Sequence, residues 1–122
     1  MGRKKEITKD GRILKEEKRL KKIYRNIDKE KMNAVEGLIQ RAAYMRIQLE
    51  DYERDINDNG YIEMFTQSER TDPYERERPV ARLYNSTGKN YQTLIKQLTD
   101  LLPKDEPKKT DDGFEDFVSG RD

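Results

Sequence analysis

A chain of 122 residues has room for one domain. Only 32% of its residues are hydrophobic and 42% are charged, against the roughly 45–50% apolar share of ordinary globular chains, so it lacks the material for a thick core. It contains neither cysteine nor histidine, which excludes disulfides, thiolate metal sites, the commonest general base and the commonest zinc ligand, and with them most hydrolase and metalloenzyme chemistries.

The opening GRKKEITKDG reads as an extended polar arm. From Arg12 to about Ile27, the residues Ile13, Leu20, Tyr24 and Ile27 share one face of a helix and lysines and arginines cover the rest, which predicts a basic amphipathic helix. Asn26 or Asp28 marks the break, and Asp28 offers an acceptor to the free N–H groups of the next helix. That helix spans residues 29–58, with Val35, Leu38, Ala42, Met45, Leu49, Tyr52 and Ile56 recurring at alternating steps of three and four. Asn59-Gly60 ends it through a positive backbone φ.

Residues 59–78 form a connector in which Tyr61 to Phe65 predicts a short strand or strap packed on the helices, while Gln67 to Arg78 is too charged for a core. Pro79 opens and Pro103 stops a third helix over residues 79–102. Its seam is Val80, Tyr84, Thr87, Tyr91, Leu94, Leu98 and Leu101, with Gly88 predicting either a close backbone approach or a bend. A Pro-interrupted acidic segment follows.

The expected fold is therefore all-α: a basic N-terminal arm and helix over 1–28, a long antiparallel helical hairpin over 29–103, and a disordered acidic tail over 104–122. Ile39, Ile47 and Ile95 fall off the seams, and self-association into a homo-oligomer is expected to cover them. No apolar run reaches the ~18 residues of a membrane span, and Met1 to Arg12 lacks the apolar core of a signal peptide. The expectation is a soluble intracellular chain with no membrane partner.

Charge supplies the candidate site. Residues 3–25 hold 11 Lys/Arg against 4 Asp/Glu, whereas residues 105–122 hold 3 against 7; such asymmetry speaks about partners. Arg3, Lys4, Lys5, Lys9, Arg12, Lys15, Lys18, Arg19, Lys21 and Lys22 are suited to neutralising phosphates along double-stranded DNA with little sequence readout. Phe114, Phe117 and Val118, set among Asp111, Asp112, Glu115 and Asp116, suit a segment that docks on a basic partner groove.

DINDNGYI at 55–62 matches the start of a calcium-binding EF-hand loop, but the twelfth position, which requires a bidentate glutamate, is Thr66. A polar helix end is the stronger reading, and no metal or cofactor is expected. Glu50, Asp51, Glu53, Asp55 and Asp58 read as a solvated face. Tyr44, Tyr52, Tyr84 and Tyr91 supply bulk to the seams. No catalytic constellation is assembled.

The long helix containing GLIQRAAYMRIQLEDYERDINDNGY, the charged connector and PVARLYNSTGKNYQTLIKQLTDLLPKD resemble the small terminase subunits of tailed bacteriophages over residues 12–104. The likeness is strongest at Pro79, Tyr84-Asn85, Lys89-Asn90-Tyr91 and the LTDLLP ending. It implies a non-enzymatic, ring-forming subunit in the cytoplasm of an infected bacterial host, which recognises viral DNA and hands it to the large terminase subunit. Residues 1–28 are shorter than the helix-turn-helix domain many such subunits carry, so DNA is expected to meet the basic arms or line the ring. The alternative is a structural or adaptor coiled-coil protein that binds only protein.

Overall fold

The computed structural model describes residues 7–104. Helix α1 spans Lys9–Ile23, α2 Lys29–Asn59 and α3 Pro79–Asp100, with strands β1 (Ile62–Phe65) and β2 (Tyr74–Glu77) between α2 and α3. The chain is thus mostly helical, and the all-α expectation needs one correction: the connector holds a two-stranded antiparallel sheet.

Helix α1 starts three residues earlier than periodicity alone suggests, because the Thr8 hydroxyl accepts a hydrogen bond from the Gly11 N–H at 3.0 Å and caps the first turn. Lys21 and Lys22 in its last turn oppose the negative end of the helix dipole. The helix stops at Ile23, yet Tyr24 and Ile27 remain buried as a turn, tied by the Ile27 N–H to the Tyr24 carbonyl at 3.2 Å. Asp28 precedes α2 as expected but makes no side-chain cap bond; its backbone carbonyl accepts from Lys31 instead.

The 31 residues of α2 extend over about 46 Å and form the central member. On the predicted seam Val35, Ala42, Leu49 and Ile56 are buried, whereas Leu38, Met45 and Tyr52 are half-buried. Ile39, Ala43 and Ile47, off that seam, are also buried. The reason is α1: Lys21 pairs with Glu36, and Arg12 with Glu50 and Asp51, and residues 39, 43 and 47 lie on the α2 face between those anchors. Ile39 and Ile47 therefore need no second copy to cover them, a correction to the reason given for self-association. Ile95 likewise packs on the core of the single chain.

On its other side α2 meets α3. Arg78 is bonded to Asp55 at 2.9 Å and the Tyr84 hydroxyl to Glu53 at 3.0 Å, while Leu49 lies opposite Gly88. Leu94 and Leu98 are buried, Tyr84, Thr87, Tyr91 and Leu101 are half-buried, and at the start of the helix Ala81 is the buried residue while Val80 is only half-buried. The core joins all three helices through Leu20, Tyr24, Val35, Ile39, Leu94 and Leu98. The Tyr24 hydroxyl bonds Thr99 Oγ1 at 2.9 Å, tying the end of α1 to the end of α3.

Two glycines behave differently. Gly60 has φ 82° and ψ 179°, a region that is essentially glycine-only, and from it the chain turns into β1. Gly88 is not a point of close approach: a methyl there would come no nearer than 4.0 Å to Leu49.

The ribbon pairs Ile62 with Glu77, Glu63 with Arg76, Met64 with Glu75 and Phe65 with Tyr74. One face satisfies itself. Arg76 bonds Glu63 at 2.7 Å and lies 3.6 Å over the Phe65 ring, which meets Tyr74 edge-on. The expected packing of this segment on the helices is not found; neither strand makes a sustained contact with a helix.

Candidate nucleic-acid interface

The basic residues of α1 divide by the flank they occupy. Facing α2, Arg12 forks onto Asp51 at 2.8 Å and Glu50 at 3.0 Å, and Lys9 lies 3.5 Å from Asp51 with its ammonium 5.6 Å over the Tyr44 ring. The guanidinium of Arg12 holds the Asp51 carboxyl below its ordinary range, chiefly through their hydrogen bond, and the same bond raises the Arg12 pKa. Lys21 reaches Glu17 at 3.5 Å and Glu36 at 3.4 Å, and Arg19 clasps Glu16 one turn back at 2.6 Å. Four of the seven described candidate cations are thus neutralised within the chain.

Lys15, Lys18 and Lys22 form no ion pair among the described residues, and all three are exposed. Steps of three and four put them on one stripe, which spans about 10 Å of helix axis, or about three base steps of a duplex at 3.4 Å each. With Ile7, Arg12, Glu16, Arg19, Ile47 and Glu50 they line an open groove of about 560 Å³. Arg19 offers the guanidinium face that Glu16 leaves exposed. The arrangement suits an extended polyanion: flexible ammonium groups along an open groove. Arg3, Lys4 and Lys5 lie outside the described residues, as do Phe114, Phe117 and Val118.

The acidic run in the second half of α2, expected to be a solvated face, instead receives the chain's own cations. Besides Arg12 and Lys9 on Glu50 and Asp51, Arg78 donates to Asp55 and to the Gly60 carbonyl at 2.7 Å. That places a positive charge at the end of a helix with no basic residue in its last turn. Asn59 and Arg78 together hold the Asp55 carboxyl below its ordinary value. The EF-hand-like stretch is helical as far as Asn59, so its first five positions cannot curl around a cation. Among the described residues no cluster of three or more acidic side chains is arranged to hold a metal.

Tyr84 and Tyr91 contribute to the α2–α3 contact, the Tyr52 hydroxyl accepts from Gln48, and Tyr44 stands half exposed beneath Lys9. Among the described residues no helix is long and apolar enough to cross a membrane. No family model, curated protein or solved structure matches the chain.

Proposed function

We propose that this chain is a non-catalytic small terminase subunit that assembles into a ring, binds viral DNA and delivers it to a large terminase motor for genome packaging. The observation that carries the reading is the stripe of Lys15, Lys18 and Lys22, which forms no ion pair among the described residues while the neighbouring cations are paired within the chain. Contact with phosphate would give binding that weakens steeply with salt and reads little sequence.

In this reading α2 and α3 form an antiparallel helical hairpin that serves as the assembly unit. The order of contacts supports it: positions 78, 84 and 88 meet 55, 53 and 49. Several stripes on one ring would gain avidity without any new contact. The segment carrying Phe114, Phe117 and Val118 would dock on the motor subunit. The setting would be the cytoplasm of the infected host.

The test is binding to a labelled DNA duplex across a salt series, with the oligomer's mass checked under the same conditions. Micromolar binding at low salt that fades toward physiological salt is the expected result. No binding at low salt by an intact oligomer overturns the reading. It would leave the adaptor that binds only protein, which the internal pairing of Lys9, Arg12, Arg19 and Lys21 favours.

A further inference from the structure

The β-ribbon stands out from the helices with one face satisfied and the other bare. Antiparallel register places Ile62, Met64, Glu75 and Glu77 on the same face, opposite the Glu63–Arg76 and Phe65–Tyr74 pairs. Ile62 is 51% and Met64 64% exposed, and neither Glu75 nor Glu77 has an ion-pair partner among the described residues. Two strands of four residues with no helix behind them are marginal in water. A ribbon so placed needs a buttress that is always present, and the one molecule always present at matching concentration is another copy of the chain.

The same end of the molecule carries the complementary surface. At the root of the ribbon a recess of about 490 Å³ is lined by Arg76, Glu77, Pro79, Arg82 and Leu83. Leu83 is 50% exposed, an unexplained apolar side chain on the outer face of α3. Arg82 and Lys89 flank a shallow neighbouring groove on that face, and neither is paired among the described residues. Glu77 and Arg82 share the recess without forming an ion pair. The molecule thus holds an apolar knob, Met64 beside the free carboxylate of Glu75, out along the ribbon, and at its root a recess beside two free cations, where Glu77 also lies. Such a pair joins head to tail between copies, and methionine suits the knob because its unbranched side chain adapts to the cavity it enters.

We propose that the bare ribbon face of one copy docks on the outer face of the first half of α3 of the next, Met64 entering the recess beside Leu83 while Glu75 and Glu77 meet Arg82 and Lys89. The inference rests on self-assembly, and it makes the ribbon the joint between subunits. It leaves the lysine stripe of α1 uncovered.

The test is solution mass by light scattering for the full chain, for Glu75→Lys/Glu77→Lys, for Arg82→Glu/Lys89→Glu, and for an equimolar mixture of the two double variants. Each double variant is expected to lose at least half of the wild-type mass, and the mixture to regain it, since every contact in an alternating assembly again joins opposite charges. Because all four substituted side chains are exposed, the helical circular dichroism should not change. A second measurement uses the lack of native cysteine: Met64→Cys mixed with Leu83→Cys should yield a mixed disulfide under mild oxidation. A wild-type monomer overturns both assembly and this contact. An assembled wild type with double variants of unchanged mass, or no mixed disulfide, overturns this contact alone.

Discussion

On the flank of α1 that faces α2, Lys9, Arg12 and Lys21 each meet a carboxylate of α2; on the outward flank, Lys15, Lys18 and Lys22 meet none among the described residues. The same residue types in one short helix are thus divided between holding the fold and facing solvent. A count of charges along the sequence cannot make that division, because it depends on which stripe of α2 lies opposite. The difference also separates two energetic regimes. Among the inner cations Arg12 is partly desolvated and forked onto two carboxylates, so losing it removes two charge-assisted bonds from partly exposed partners. Outer cations are exposed, and losing one costs the fold almost nothing.

The largest expected effect lies beneath both flanks. Leu20, 2% exposed in the core shared with Val35, Ile39 and Leu98, anchors α1 to the body, and Leu20→Ala is expected to cost about 2–5 kcal/mol in a denaturant melt. A cost below about 1 kcal/mol would mean that α1 is not integral to the core and that the contrast between its flanks has no structural basis.

An intermediate effect belongs to the inner pairs. Arg12→Ala should destabilise by about 1 kcal/mol or less, since its side chain and those of Glu50 and Asp51 remain partly exposed, at 23%, 41% and 31%. The Asp51 carboxyl is held below its ordinary value in the fold, so its contribution is fully present above the unfolded carboxylate pKa near 4 and is lost as pH falls through the lower folded value. The Asp51→Asn variant should therefore lose less stability than the wild type between neutral pH and about pH 3. An identical acid limb would show that the Arg12 fork does not persist in solution. At the small end, Lys18→Ala should stay within about 0.5 kcal/mol of wild type.

Much of the helical body can be read from the chain. Steps of three and four from Val35 to Ile56 and from Val80 to Leu101, the proline at residue 79 and Asn59-Gly60 mark α2 and α3 to within a few residues. What could not be read depends on partners. Ile39 and Ile47 look surplus until α1 is laid against them, and nothing in either stripe alone fixes that pairing. The second strand, Tyr-Glu-Arg-Glu at 74–77, has no apolar alternation to reveal it. Its signals, arginine across from glutamate and tyrosine across from phenylalanine, appear only once the register with β1 is known. The candidate site was half legible for the same reason: the cations were plain in the sequence, whereas Glu36, Glu50 and Asp51, which consume some of them, are remote along the chain.

The central claim is that the outward stripe of α1, and not basic charge in general, contacts nucleic acid. The direct measurement is the slope of log K against log salt for duplex DNA binding by two triple variants, Lys15→Ala/Lys18→Ala/Lys22→Ala and Lys9→Ala/Arg12→Ala/Lys21→Ala. The outward variant is predicted to lower the slope by roughly one per lysine removed, about three in all, with an unchanged melt; the inward variant should melt earlier and, at a temperature where it is still folded, keep nearly the wild-type slope. Equal slopes for the two variants would contradict the account.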